Sequence, residues 1–242
     1  MTKGAQRLKT ILRTFQRVLE IDDLNPDALE ALERLLIRLD RWGDLKEIYS
    51  KKADLEHDPE KKKHNLYVLG QVYDREQGEP AQAIEVYQQI LDIDPNDLTA
   101  IQALDRLYGQ AERWYDLLQV IERQIELVEM PAEIVAHRYR VGQLWEKRLQ
   151  DLTRAVEAYK EALRMDPMHE PTLFALDGLA HSEGEPVLAA QALLPIYEQA
   201  AEFERLVDLY EVMAYHAEDP FRKVELLHQI ASLCEFRLGQ HE

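Results

Sequence analysis

The chain has 242 residues, with 46 acidic against 29 basic side chains and a formal net charge of −17. That balance disfavours phosphate backbones and anionic membrane surfaces, which need a basic footprint, and it favours solubility and a basic protein partner. A single cysteine, Cys234, excludes an intrachain disulfide and fits a reducing compartment.

Apolar residues recur at helical spacing from the start. Leu8, Ile11, Leu12, Phe15, Val18 and Leu19 form one stripe, which predicts a helix over 4–20. Asn25-Pro26-Asp27 then caps a helix over 27–39, since proline suits a first turn and Asn an N-cap. Arg41-Trp42-x-Asp44-Leu45 opens a helix over 42–57, and Asp58-Pro59 opens one over 60–76. Gln77-Gly78-Glu79-Pro80 turns the chain into 80–92. Asp94-Pro95-Asn96-Asp97 leads to 97–110, and Arg113-Trp114-x-Asp116-Leu117 opens 114–129. Met130-Pro131 starts 132–148, which is followed by 152–164. Asp166-Pro167-Met168-His169 leads to 170–182; then come 187–201, 204–217 and, after Asp219-Pro220, 221–238. No segment alternates as a strand does. The short connections predict antiparallel neighbours. No apolar run approaches the ~18 residues of a membrane-spanning helix. Met1–Gly4 leads into Gln6-Arg7-Leu8-Lys9 without a signal peptide's apolar stretch, so a cytoplasmic location is expected.

Residues 21–92 lie on 93–164 without a gap, a period of 72 residues. Ala28, Leu32 and Leu35 fall on Ala100, Leu104 and Leu107, and Tyr67, Gly70, Gln71, Ala83 and Tyr87 fall on Tyr139, Gly142, Gln143, Ala155 and Tyr159. A helical unit of this kind buries its apolar face only against its neighbours, so copies stack. Ala175, Leu176 and Leu179 keep the offset of 72. Beyond them the offset becomes 89: Ala189, Ala192, Leu193, Tyr197 and Phe203 match Ala100, Ala103, Leu104, Tyr108 and Trp114. One helix type therefore occurs twice running, at 170–182 and 187–201. With Pro195 inside the second, a sharp turn is expected near 180–205.

Residues 66–95 read Leu66-x2-Leu69-Gly70-x2-Tyr73, then Ala83-x3-Tyr87-x2-Ile90-Leu91-x3-Pro95. Residues 138–167 repeat this as Arg138-x2-Val141-Gly142-x2-Trp145, then Ala155-x3-Tyr159-x2-Ala162-Leu163-x3-Pro167. These segments resemble the tetratricopeptide repeat, with a link between the two helices one residue longer than the family norm. Units 27–57 and 97–129 resemble degenerate repeats. The resemblance implies an all-α fold: a right-handed helical-hairpin solenoid of about 13 antiparallel helices, irregular near 180–205. The resemblance covers most of 5–180 and, through the offset copy, 187–238; residues 1–242 are expected to form one array, regular over 5–182 and offset over 183–242, and to be a fragment of a longer one. It also implies a protein–protein interaction scaffold that binds a peptide or partner domain along a concave surface. The first helix of each hairpin lines that surface, so Tyr67, Gln71, Asp74 and Arg75, with Tyr139, Gln143, Glu146 and Lys147, are the candidate partner-binding residues.

Other features read as structure. Trp42, Trp114 and Phe203 refill one slot in each copy, as a packing residue does. The eight histidines are scattered without metal-ligand spacing, and neither a phosphate loop nor a nucleophile elbow occurs. No cofactor, metal, nucleic acid or membrane partner is expected, and no catalytic activity. Two alternatives stand beside the scaffold. One is the regulatory segment of a larger enzyme. The other is a self-assembling module with open ends. Ile11, Phe15 and Val18 take the positions of Ala83, Tyr87 and Ile90, while Ala231 takes that of Gly70, so each end is half a hairpin and head-to-tail association is expected.

Overall fold

The computed structural model describes residues 3–75 and 80–237, and for residues 3–6 and 75 the backbone alone. The expected turn at Gln77-Gly78-Glu79 lies outside the described residues. Thirteen α-helices and no strand occur among the described residues. They are α1 (Lys3–Ile21), α2 (Pro26–Arg38), α3 (Trp42–Leu55), α4 (Pro59–Arg75), α5 (Pro80–Ile93), α6 (Leu98–Gln110), α7 (Trp114–Leu127), α8 (Pro131–Leu144), α9 (Leu152–Met165), α10 (Glu170–Ala180), α11 (Pro186–Ala200), α12 (Phe203–His216) and α13 (Pro220–Phe236). The chain divides into two compact units, Met1–Val120 and Ile121–Glu242.

The helix ends follow local chemistry. The Asn25 side chain accepts the Ala28 N–H at 3.0 Å, and Asp97 accepts those of Thr99 at 3.1 Å and Ala100 at 3.0 Å. Each satisfies donors that a helix start leaves unpaired. Three C-terminal ends share another device. Asp40, Glu112 and Ala201 have φ of 57°, 54° and 56°. The N–H after each returns to a helix carbonyl: Arg41 to Leu36 at 3.0 Å, Arg113 to Tyr108 at 2.9 Å, Glu202 to Tyr197 at 3.0 Å. This is the left-handed cap that terminates many helices, here built without glycine. It recurs at the two offsets seen in the sequence, 72 and then 89 residues.

In the first unit, consecutive helices pack as hairpins from α1 through α6. Leu29, Leu32, Leu45, Leu66, Ile84, Ile90, Ile101 and Leu104 fill the core. In the second unit, α8 and α9 form the corresponding hairpin. A five-residue π-turn, Trp145–Leu149, closes α8 and ends on Gln150 at φ 56°. A π-turn takes one more residue than an α-turn. It absorbs the residue by which this link exceeds the family length, a feature that helical periodicity alone did not foretell.

The added helix is accommodated in the second unit. There α11 packs on α10 and α12 and also reaches α9. Ala155, Val156, Tyr159, Leu176, Leu179, Ala189, Ala190, Leu193, Leu206, Leu209 and Leu226 share one buried cluster. Gly184, just before α11, packs against Leu152 of α9, whose Cδ1 would lie 2.0 Å from an added Cβ. The helix α11 runs through Pro195 from Pro186 to Ala200. His181, at the end of α10, ties it to α12: its Nδ1 lies 2.8 Å from the Asp177 carbonyl and its Nε2 lies 2.9 Å from Asp208 Oδ2. Both partners are acceptors, so the charged imidazole, which donates from both ring nitrogens, is the form this site favours. The Asp177 carbonyl, then the Asp208 carboxylate, hold His181 above its ordinary range.

Two predictions follow from this packing. A Cβ on Gly142 would lie 2.3 Å from the ring of Tyr159, which is 0% exposed and anchored by its hydroxyl, 2.6 Å from Glu146. The ring has nowhere to go. Overpacking costs about 1–3 kcal/mol and exceeds the ~0.5–1 kcal/mol that alanine gains over glycine in a helix. Gly178 is exposed with nothing within 4 Å of the added carbon. Urea denaturation should show Gly142→Ala destabilised and Gly178→Ala neutral or stabilised by up to about 1 kcal/mol. The second concerns pH. His181 is raised in the folded state, so its contribution is complete below its ordinary value, about 6.5, and fades as pH rises through the folded value. Proton NMR should find His181 titrating above 6.5, and Asp208→Asn should lower that value.

Candidate functional site

The two candidate faces are built differently, although their residues match one for one. On α4, Tyr67 is half-buried and its hydroxyl donates to Asp97 Oδ1. Asp97 is also the N-cap of α6, so one carboxylate holds the tyrosine and starts a helix. Lys63 Nζ lies 3.0 Å from Asp94 and 3.5 Å from Asp97. Burial works against the charge on Asp97, but the hydrogen bonds from Tyr67 and the Ala100 N–H, with Lys63 beside them, hold it below the usual carboxylate range. Burial, then Asp97, pushes the Tyr67 hydroxyl well up, so it stays a neutral donor. Gln71, one turn on, is exposed. Asp74 is paired with Arg106 of α6 at 2.6 Å. The side chain of Arg75 lies outside the described residues.

On α8 the capping carboxylate is missing, since position 169 carries His where position 97 carries Asp. The His169 Nδ1 lies 2.7 Å from the hydroxyl of buried Thr172, and its ring meets Tyr139 edge-on at 5.6 Å. Tyr139 also packs beside Tyr159, with centroids 5.7 Å apart. The Tyr139 hydroxyl instead accepts from Gln143 Nε2 at 2.9 Å. Gln143 is half-buried, unlike Gln71. The π-turn takes Glu146 and Lys147 out of the α-helical register on which a continued face depends. Glu146 accepts from Tyr159, while Lys147 is exposed.

The end residues are partly open. Ile11 is 43% exposed, Phe15 and Val18 are half-buried, and Ala231 is exposed. Their counterparts Ala83, Tyr87 and Ile90 are buried. Trp42, Trp114 and Phe203 are each half-buried at the first position of their helices. Among the described residues, no group of three His, Cys, Asp or Glu side chains could hold a metal ion, and no helix is long and apolar enough to cross a membrane.

One concave region was not singled out by sequence reasoning. Met168, Leu173, Phe174, Ile196, Tyr197 and Ala200 line a cavity of about 460 Å³ between α10, α11 and the start of α12, with Glu170, Asp177, Glu202 and Arg205 among them. A signal for it was present. Position 174 is Phe, where the two earlier copies carry exposed Glu30 and Gln102.

No curated protein matches the chain. Among solved structures, YrrB, titled a TPR protein with an unusual peptide-binding site, is 17% identical; the match covers 72% of this chain and 86% of that one at a TM-score of 0.41. MamA is 16% identical over 81% of this chain and 95% of that one, at 0.39. A putative kinesin light chain from Podosopora anserina with nearly identical TPR-like repeats is 14% identical over 98% and 99%, at 0.35. The model of the tetratricopeptide repeat matches residues 64–97 and 140–169, which are α4 with α5 and the α8–α9 hairpin into the following turn. The chain therefore carries tetratricopeptide repeats in both units, and its all-helical hairpin fold is tetratricopeptide-like.

Proposed function

We propose that the chain is a non-catalytic scaffold that binds a peptide or partner domain, and that the faces of α4 and α8 carry partner-binding surfaces. A tetratricopeptide fold supports protein–protein interaction in general. The observation that carries the finer reading is the repeated, pre-set Tyr–Gln pair. Tyr67 and Tyr139 are half-exposed, and each is held by a hydrogen bond. An aromatic surface already fixed in place loses little freedom on binding, and a neighbouring amide can pair with a peptide backbone. Gln71 is free to do so. Gln143 must exchange its bond to Tyr139, which makes the α8 face the weaker one. The acidic surface favours a basic partner.

Affinity capture with the whole chain, followed by titration of the purified partner, tests this. Gln71→Ala should weaken binding about tenfold with an unchanged melting curve, because the side chain is exposed and removing a hydrogen bond to a buried partner costs about 1–3 kcal/mol. A partner that binds both Gln71→Ala and Gln143→Ala as tightly as the parent chain would refute the assignment.

A second reading, self-association, rests on α13. Phe221, Val224 and Leu227 are exposed at successive turns of one face that continues to Ala231. The pairing of Gly70 with the Tyr87 ring supplies the template, with Ala231 and Phe15 in the corresponding positions. In this reading α13 of one copy covers α1 of the next, a head-to-tail contact. Light scattering over a concentration series should then show mass rising with concentration. A strictly monomeric species at high micromolar concentration rules it out.

A further inference from the structure

The repeats provide an internal reference for what a position does when it is only structural. Three residues at the α10–α12 cavity depart from it. Phe174 stands where Glu30 and Gln102 stand in the earlier copies, Glu170 where Pro26 and Leu98 stand, and Glu202 where Arg41 and Arg113 stand. Phe174 is 83% exposed and Met168 is 66% exposed. A ring of that size placed in water on a helix whose homologous positions are polar adds nothing to the fold. Below it, Leu173, Ile196, the Tyr197 ring and Ala200 line the concavity. Its volume lies within the ~300–1,000 Å³ range of binding pockets.

The charge at this cavity is also set. Arg205, its one basic residue, is already engaged. Its guanidinium lies 3.6 Å from Asp177, donates to the Tyr197 hydroxyl at 2.9 Å and stacks over that ring at 5.1 Å. Glu170 and Glu202 remain at the edges, and Glu170 has no ion pair among the described residues. The cavity thus presents an apolar centre with two acids beside it.

We propose that this cavity is a second binding site, distinct from the α4 and α8 faces. It takes a peptide segment of a partner protein in which a large apolar side chain is flanked by lysine or arginine. The apolar residue stacks on Phe174 and enters over Ile196, and the flanking cations meet Glu170 and Glu202. Large apolar anchors dominate such contacts, and the rim charges set selectivity and approach.

The test is selection of a randomised 12-residue peptide library on the whole chain, followed by titration of the recovered peptides. Phe174→Gln restores the residue carried by the preceding copy and suits the fold; Glu202→Arg restores one too but meets Arg205 three residues on, so melting curves check that it stays folded and Phe174→Gln carries the test where it does not. The expected peptides have an apolar centre and basic flanks. They lose at least tenfold affinity on Phe174→Gln and on Glu202→Arg, and they weaken as salt rises. Three results would overturn the proposal: no enrichment over the Phe174→Gln chain, peptides without basic flanks, or affinity that survives both substitutions. Peptides indifferent to Phe174→Gln but lost on Gln71→Ala would place binding on the α4 face instead.

Discussion

The buried tyrosine with a tethered hydroxyl is the interaction on which the helix packing depends. Tyr49 donates to Glu33 at 2.5 Å, Tyr159 to Glu146 at 2.6 Å and Tyr197 to Asp177 at 2.7 Å, while the Tyr108 hydroxyl accepts from Gln88 at 2.8 Å. Each bond joins neighbouring helices. Burying a tyrosine ring removes ~150–250 Å² from water, a gross gain of about 4–6 kcal/mol at ~25 cal/mol/Å². Leaving its hydroxyl without a partner would return about 1–3 kcal/mol of that. The partner therefore decides the net gain and also fixes where the ring points. Burial, then the carboxylates, raise these hydroxyls; Tyr197 is pushed up to about 12. The hydroxyls of Tyr49, Tyr159 and Tyr197 therefore stay neutral donors at physiological pH.

Glycine is the other half of that interaction. The Tyr87 and Tyr159 rings sit where a Cβ on Gly70 and Gly142 would be. The clash would be harder at Gly142, at 2.3 Å against 2.9 Å. Two copies of one slot thus differ in tightness, and they differ in polar chemistry as well. Asp97 holds Tyr67 and starts α6, whereas His169, the N-cap of α10, makes no side-chain cap bond, meets Thr172 instead and lets Gln143 hold Tyr139. Sequence-equivalent surfaces are therefore not chemically equivalent: one glutamine is free and the other is engaged.

Helices were legible because their signals are local. Proline with Asn or Asp marks several starts, as at Asn25-Pro26, Asp58-Pro59 and Asp219-Pro220, and stripes such as Leu8, Leu12, Phe15 and Leu19 mark buried faces. The 72-residue period made the pairings legible too, since Gly70 and Tyr87 recur together. The π-turn at Trp145–Leu149 was not, because one extra residue in a link can be a loop or a wide turn and spacing does not choose. Hydrogen-bond partners were not legible either. Nothing in the order of residues says that Glu146 bonds Tyr159 rather than extending a face beside Gln143. The cavity at α10–α12 was legible in principle. Its mark is a departure from the repeat, Phe174 in place of Glu30 and Gln102.

The departure at Glu202 and Arg205 explains how a repeat can acquire such a cavity at little cost. In the earlier copies Arg41 pairs with Asp44 and Arg113 with Asp116, each within the first turn of one helix. The acid there suits the positive end of the helix dipole, and the arginine is a local partner. In the third copy the signs are exchanged. Glu202 takes the N-cap position, where an acid is favourable by itself. Arg205 then sits in a turn that disfavours a cation, which Glu202 beside it and a tertiary contact offset. Asp177 of α10 and the Tyr197 ring supply it. Arg205 thus becomes a strut across three helices, and Glu202 stays beside it at the edge of the cavity.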